Sequence, residues 1–327
     1  MRMPTKNFIK KIIVTGGAGF IGSNYVNSMS KKYPGYLFII VDCITSVGTL
    51  ENITVLNRKN VCFEKVDIRH VLQLEKVYRK HTPTDCIHFA AESHVDMSIK
   101  NPSIFVETNV LGTNNLLVLH RKYKLNRFHH ISTDEVYGSL TLKELAFKET
   151  SQIAPNNPYS ASKASSDLLV RSHVKTFGLN AVITRCSNNY GPRQDITKLI
   201  PRFITLLLQN KKVQLYSRGE QIREWIYVDD HVRAIDLIFH KGMCGEIYNI
   251  PGFSEHTNKE ITDILIKKAH KDENFIEFVA DRPGHDFRYA LNGDKIFREL
   301  NFKPQISLEE GIRMTFSFYE KRKSKKS

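Results

Sequence analysis

Ser132-Thr133-Asp134-Glu135-Val136-Tyr137-Gly138 sets a hydroxyl and two adjacent carboxylates just after an apolar run ending at Ile131. Two neighbouring carboxylates can divide into an acid and a base, which suits a reaction in which one proton leaves and another group departs with a proton. Tyr159 and Lys163, within Tyr159-Ser160-Ala161-Ser162-Lys163, stand at i and i+4, so on a helix they share one face a turn apart. A phenol with a pKa near about 10 is a poor base at neutral pH. The expectation is that the Lys163 ammonium, with a positively charged ring bound beside it, lowers that pKa and makes the phenolate accessible. A phenolate so placed takes the proton of a hydroxyl as hydride leaves the same carbon.

The carboxylates carry a geometric condition. Successive residues of a strand point to opposite faces. For Asp134 and Glu135 to meet one substrate, the chain must leave the strand near Thr133, with Val136-Tyr137-Gly138 as the exit. The competing reading makes Asp134 a helix cap and Glu135 a surface charge.

The elements that must position these groups come in two rhythms. From about residue 10 to 185, short β-rich runs alternate with longer amphipathic stretches. The runs are Lys11-Val14, Leu37-Val41, Val61-Val66, Cys86-Ala90, Phe128-Ser132 and Ala181-Arg185; the clearest helices are Asn101 to Tyr123 and Pro158 to Phe177. Repeated βαβ units imply a Rossmann-type α/β fold, a doubly wound parallel sheet with helices on both faces. From Asn188 onward, Gly191-Pro192, Pro201, Pro251-Gly252, Pro283-Gly284 and Pro304 separate shorter elements. A smaller C-terminal α/β lobe is expected there, giving domains of 1–186 and 187–327. Ile226-Tyr227-Val228 and the stretch Asp229 to His240 are expected to return to the first lobe, so that the first domain receives part of 223–250.

Thr15-Gly16-Gly17-Ala18-Gly19-Phe20-Ile21-Gly22 follows the first strand directly. Glycines 17, 19 and 22 satisfy G-x-G-x-x-G, and glycines 16, 19 and 22 satisfy G-x-x-G-x-x-G. Without a Cβ the backbone can approach a pyrophosphate, and the helix that follows points its free N–H groups at the phosphates. Asp42 ends the second strand, where a carboxylate accepts hydrogen bonds from ribose hydroxyls and repels a 2′-phosphate, favouring NAD over NADP. Asp67 and Ile68 end the third strand, where an adenine ring would lie.

Composition sets outer bounds. The 327 residues are 41% hydrophobic and 25% charged, as in an ordinary soluble protein, and no apolar run is long enough to span a bilayer or serve as a signal-peptide core. A cytoplasmic protein without a membrane partner is expected. The net charge of +14 is dispersed apart from the tail Lys321-Arg322-Lys323-Ser324-Lys325-Lys326, which reads as a solvated terminus and not as a nucleic-acid site. Cysteines 43, 62, 86, 186 and 244 show no C-x-x-C spacing, so no metal site is expected; they read as reduced and mostly buried small residues.

The glycine loop, the strand spacing, Thr133 and the Tyr159/Lys163 pair together resemble the extended short-chain dehydrogenases/reductases that act on nucleotide sugars, over nearly the whole chain. The segment 132–138 resembles the signature of the dTDP-glucose 4,6-dehydratases. Ala90-Ala91-Glu92-Ser93-His94-Val95-Asp96, Asn188-Asn189-Tyr190-Gly191-Pro192, Lys198-Leu199-Ile200-Pro201 and Asp281-Arg282-Pro283-Gly284-His285-Asp286 agree with that family. The resemblance implies that Tyr159 is the base for the C4 hydroxyl, Glu135 the base and Asp134 the acid in loss of water, and that Thr133 orients the sugar. NAD would lie against Gly16, Gly19, Phe20, Ile21 and Gly22, then Asp42, Thr45, Asp67 and Ile68, and then Ala90, Ala91, Thr108, Tyr159 and Lys163. The nucleotide sugar would meet Ser93, Thr133, Asn188, Lys198 and Tyr216, and also Arg223, Asn258, Arg282 and His285. Guanidinium groups hold phosphate through paired hydrogen bonds, which makes Arg223 the leading diphosphate ligand. A homodimer through paired helices of the first lobe is also implied.

Three segments depart from the family. Met97 stands where Arg is usual, Ile44-Thr45-Ser46-Val47-Gly48-Thr49 replaces Leu-Thr-Tyr-Ala-Gly-Asn, and Arg193-Gln194-Asp195-Ile196-Thr197 replaces Tyr-x-Phe-Pro-Glu. None removes a proposed catalytic group, but the last leaves UDP-glucose beside dTDP-glucose as substrate. The other readings are a nucleotide-sugar 4-epimerase or decarboxylase, which needs no Asp-Glu pair, and a non-catalytic NAD-binding regulator, which needs none of the catalytic groups.

Overall fold

Runs such as Ile12-Ile13-Val14 and Phe38 to Val41 lack polar alternation and cannot leave one face in water, and every one of these side chains is fully buried. They form the centre of a parallel sheet in the computed structural model, which describes residues 8–45, 48–281 and 285–324. Packing groups the chain into two units, Met1–Ile131 with Ser165–Ile183 and Met243–Glu246, and Ser132–Ala164 with Thr184–Gly242 and Ile247–Ser327. This grouping differs from a cut at residue 186, because the catalytic loop and the start of the Tyr159 helix pack with the second unit.

In chain order the first unit holds β1 (Lys10–Thr15), α1 (Phe20–Lys32), β2 (Tyr36–Asp42), β3 (Val61–Lys65), α2 (Val71–His81), β4 (Asp85–His88), α3 (Val95–Lys100), α4 (Pro102–Phe105) and α5 (Gly112–Lys122). It also holds all but the end of β5 (Arg127–Thr133), most of α6 (Pro158–Phe177) and the start of β6 (Ala181–Cys186). The strands lie in the order β6-β5-β4-β1-β2-β3. The pairs β1–β2, β1–β4, β2–β3 and β4–β5 are parallel. This is the doubly wound order, and its direction reverses between β1 and β4, where the glycine loop leaves β1.

The single helix expected over Asn101–Tyr123 is interrupted. Asn101 lies outside it, Pro102 starts α4, and a six-residue π turn, Val106–Leu111, joins α4 to α5. The widened turn carries Asn109, whose side chain accepts from the Glu92 N–H at 2.8 Å and donates to the Glu92 carbonyl at 3.0 Å. It thereby fixes the loop after β4.

The second unit holds β7 (Asn188–Tyr190), α7 (Leu199–Leu208), β8 (Val213–Tyr216), β9 (Ile222–Tyr227), α8 (Val228–Lys241), β10 (Ile247–Ile250), β11 (Glu255–Thr257), α9 (Asn258–Lys268), β12 (Ile276–Val279), α10 (Asp294–Leu300) and α11 (Leu308–Ser324). Its sheets run β11-β9-β7 and β12-β8, while β10 lies beside β6. The apolar faces of α7, α9 and α11 meet through Ile204, Leu207, Leu265 and Phe316. Thr257 and Glu260 close a reciprocal cap on α9, which begins at Asn258. β9 and α8, expected to rejoin the first lobe, group with this unit, and Met243–Glu246 is the later segment that groups with the first.

Candidate active site

The first unit builds a dinucleotide cradle. α1 begins behind Gly19 with no side-chain cap and no acid in its first turn, so the N–H groups of Phe20, Ile21 and Gly22 present an uncapped positive helix end. A Cβ on Gly22 would come within 2.3 Å of the Gly16 carbonyl oxygen, so only glycine lets the loop close this tightly. Asp42 accepts the Ala18 N–H on Oδ2 and the Ile44 N–H on Oδ1, both at 2.9 Å, which fixes a carboxylate beside the loop. Burial pushes its pKa up, and the two backbone donors work against that. An uncapped helix end beside a fixed carboxylate fits a pyrophosphate and a ribose diol.

Asp67 lies two residues beyond the end of β3, and its carboxylate is engaged by Arg69, whose Nη2 is 2.7 Å from Oδ2. Arg69 reaches on to Glu107 in the π turn at 3.1 Å, a link that spacing alone did not reveal. Ile68 is buried, Ala90 and Ala91 follow β4 half-buried with Ser93, Thr108 is half-buried in the π turn, and Thr45 is exposed.

The second unit brings the reactive groups together. β5 ends at Thr133 and a 3₁₀ turn, Asp134–Tyr137, follows at once, which meets the condition that the chain leave the strand there. Thr133, not Asp134, caps that turn, its hydroxyl accepting the Glu135 N–H at 3.3 Å. The same hydroxyl donates to Asp134 Oδ1 at 3.1 Å, while Oδ2, buried, has no hydrogen-bond partner among the described residues. Asp134 is only 2% exposed. Burial first, then the charges of Glu135 and Glu224, push its pKa well above the usual carboxylate range, with the Thr133 hydroxyl and Arg223 opposing. Of the two, Asp134 is thus the carboxyl group with the raised proton affinity, and Glu135 beside it is half-buried.

Tyr159 and Lys163 lie one turn apart on α6 and both are buried. The protein surroundings act against the expected lowering of the phenol's pKa, which also counted on the positive ring of the cofactor. Burial and the Glu135 charge raise it well above its ordinary value, and the Thr133 hydroxyl is the neighbour that favours the phenolate. The Lys163 ammonium also helps hold down the thiol of Cys186, which burial and Asp134 still push up to about 12. Cysteines are less buried than expected: Cys86 and Cys186 are buried, Cys43 and Cys62 half-buried, and Cys244 exposed, all five being free.

Also in the second unit, Arg223 on β9 is buried, and its guanidinium donates to the carbonyls of Ile222 (2.8 Å), Asp286 (2.9 Å) and Phe287 (3.3 Å) and lies 4.6 Å from the Tyr289 ring centroid. Asn188 and Asn258, placed at the starts of β7 and α9, each hold a buried side-chain oxygen with no partner among the described residues. Lys198 precedes α7, and Tyr216 ends β8 with its ring edge-to-face with His285 at 6.0 Å. His285 is paired to Asp281 at 2.7 Å. Arg282 lies outside the described residues.

Sequence reasoning missed Glu224 and Asp286. Glu224 is a buried carboxylate that accepts the Phe253 N–H (2.8 Å) and the Leu291 N–H (3.0 Å), and burial raises its pKa to about 7. Asp286 accepts from Asn156 Nδ2 at 2.6 Å and from the Tyr289 hydroxyl. A second charge directly after Arg223 in an otherwise apolar strand was the available signal for Glu224.

A doubly wound sheet with this cradle, and a Tyr-Lys pair one helical turn apart, define an extended short-chain dehydrogenase/reductase of the nucleotide-sugar class. The family described as GDP-mannose 4,6 dehydratase matches residues 13–315. The chain is 45% identical to a dTDP-glucose 4,6-dehydratase of Shigella flexneri over 94% of its own length and 92% of that protein. A dTDP-glucose 4,6-dehydratase from Streptomyces venezuelae, crystallised with NAD and TYD bound, superposes with a TM-score of 0.93 at 44% identity, covering 96% of this chain and 98% of that one. One from Bacillus anthracis in complex with NAD gives a TM-score of 0.90 at 43% identity, with the same coverage. The chain belongs to the dTDP-glucose 4,6-dehydratase family and is a dehydratase of that type.

Proposed function

We propose that the protein converts dTDP-glucose to its 4-keto-6-deoxy sugar, with NAD regenerated in each turnover. The observation that carries this reading is the turn after Thr133, which buries Asp134, its pKa raised, beside Glu135 in the unit that also holds Tyr159. NAD supplies the hydride acceptor and later the hydride donor. Thr133 orients the sugar, and Tyr159 Oη takes the proton of the C4 hydroxyl, assisted by Lys163. Glu135 then removes the proton at C5, made acidic by the neighbouring ketone, and Asp134 gives its proton to the hydroxyl leaving C6 as water. An epimerase has no step that uses these two carboxyl groups.

The cradle at Gly16, Gly19, Phe20, Ile21 and Gly22, with Asp42, Thr45, Asp67, Ile68, Ala90, Ala91 and Thr108, takes NAD, and the Asp42 carboxylate disfavours a 2′-phosphate. Arg223, Asn188, Asn258, Lys198, Tyr216, His285, Arg282 and Ser93 take the nucleotide diphosphate and sugar. In this division residues 1–186 serve the cofactor and 187–327 the nucleotide sugar. Met97, Val106 and Leu111 expose large apolar side chains on helical segments of the first unit, which supports a homodimer through those helices. No helix among the described residues is long and apolar enough to cross a membrane, in line with a cytoplasmic enzyme.

The test is incubation with dTDP-glucose and with UDP-glucose, reading the keto-sugar chromophore in alkali. Product from dTDP-glucose supports the assignment, product from UDP-glucose alone moves the base preference, and no product from either refutes it. Glu135→Gln should still oxidise C4 but stop there, so enzyme-bound NADH accumulates; full activity in that variant would refute the role given to Glu135.

A further inference from the structure

Two bonds at the ends of the turn that carries Asp134 and Glu135 are long. The turn has four residues, the Thr133 cap on Glu135 spans 3.3 Å, and the Gly138 N–H reaches the Glu135 carbonyl at 3.3 Å. Both are at the weak end of the hydrogen-bond range. Further anchors are distant in sequence. The Ala154 N–H donates to the Val136 carbonyl at 3.1 Å. Tyr137 is buried with its ring stacked on Phe147, centroids 5.0 Å apart and planes inclined by 20°, and the Arg185 guanidinium lies 4.7 Å from the Tyr137 centroid.

The hydroxyl of Tyr137 completes the anchor. It donates to Asn249 Oδ1 at 2.8 Å. Asn249 is fully buried on β10, its Nδ2 donates to the Phe147 carbonyl at 2.9 Å, and its backbone N–H donates to Glu149 Oε1 at 2.9 Å. Because Nδ2 faces a carbonyl, Oδ1 must face Tyr137, so the amide is locked in one orientation and the phenol must be the donor. A rigid strand position is thus bonded to the last residue of the catalytic turn.

We infer that Tyr137 and Asn249 are positioning residues for elimination: their hydrogen bond sets where Asp134 and Glu135 stand and leaves the oxidation step, which uses Thr133 on β5 and Tyr159 on α6, largely untouched. This deepens the proposed dehydratase reading and rests on it. Neither side chain touches the sugar in this account. Both act through the turn.

The two steps are separable by observation. Oxidation reduces bound NAD, and reduced cofactor persists when elimination, or the hydride return to C6 that follows it, is slow. In the full-length protein, Tyr137→Phe keeps the ring, its stacking and its volume, and removes only the hydroxyl. It should lower the rate of keto-deoxy product formation about tenfold relative to C4 oxidation, the size of one lost buried hydrogen bond. NADH should then accumulate during turnover, and amide exchange in the peptide spanning residues 133–138 should quicken. Asn249→Ala should do the same, and the double variant should be no worse in this ratio than the more affected single one, since the two side chains share one bond. The inference is overturned if Tyr137→Phe partitions like the parent. It is also overturned if oxidation and elimination fall together without NADH accumulating, which marks a residue needed only for folding. A parent protein that makes no keto-sugar refutes the dehydratase reading itself. A parent that makes it, with Glu135→Gln accumulating NADH and Tyr137→Phe not, refutes the inference alone.

Discussion

Replacing Glu224 by Gln should change how stability depends on pH. Glu224 is 2% exposed, and burial raises its carboxyl pKa from 4.5 to about 7 in spite of the Leu291 and Phe253 N–H donors. A raised carboxyl binds its proton more tightly in the folded chain than in the unfolded one, so stability falls as pH rises from about 4.5 to about 7 and is level above that. At about 1.4 kcal/mol per tenfold change in proton affinity, the rise corresponds to about 3 kcal/mol, of which about 2.5 kcal/mol falls between about pH 5 and about pH 8. Gln carries no titrating proton. Its amide NH₂ meets one of the two backbone donors, at a cost that is the same at every pH. The stability of Glu224→Gln minus that of the parent should therefore grow by about 2.5 kcal/mol across that interval, measured by urea unfolding at several pH values. A difference that stays constant with pH, or shrinks, would refute the reasoning. The same variant removes a negative charge that helps keep Asp134 protonated. In the proposed mechanism Asp134 gives up its proton, so activity should decline as it deprotonates at high pH, and Glu224→Gln should move that alkaline limb to lower pH.

Asp134→Asn should leave C4 oxidation in place and slow loss of the C6 hydroxyl by about 10²- to 10⁴-fold, the usual contribution of a positioned proton donor, read from single-turnover product formation. A full elimination rate would show that water or another group supplies the proton. Gly22→Ala places a Cβ within 2.3 Å of the Gly16 carbonyl and should open the cradle. Titration with NAD should show the dissociation constant raised by about tenfold or more, the equivalent of a close-packing cost of about 1–3 kcal/mol, and unchanged binding would contradict the placement of the pyrophosphate.

The dinucleotide half was largely legible because its signals are local. A strand, a tight glycine turn and a helix follow one another in Lys10–Lys32, and Asp42 closes the next strand, so periodicity and steric rules reach them without long-range contacts. α6 was legible for the same reason and runs over Pro158–Phe177 as its pattern predicts. The π turn was not, because hydrophobic period does not report a single widened turn, and Asn109 is tied to Glu92, 17 residues away. The burial of Tyr159 and its closeness to Glu135 were not legible either, because neither follows from the i, i+4 spacing that brings Lys163 near.

By itself the sequence determined which groups are available: two adjacent carboxyl groups after a strand, a Tyr-Lys pair at helical spacing, a glycine cradle and an acid for the ribose. These follow from residue type and short-range geometry. Only the tertiary structure decided what the carboxyl groups are. The chain turns at Thr133 because Ala154, Phe147, Arg185 and Asn249 hold the turn from elsewhere, the last of them 112 residues from Tyr137. Asp134 holds its proton more tightly because that turn buries it near Glu135 and Glu224, and a proton's affinity depends on burial and surrounding charge, which residue type alone does not set.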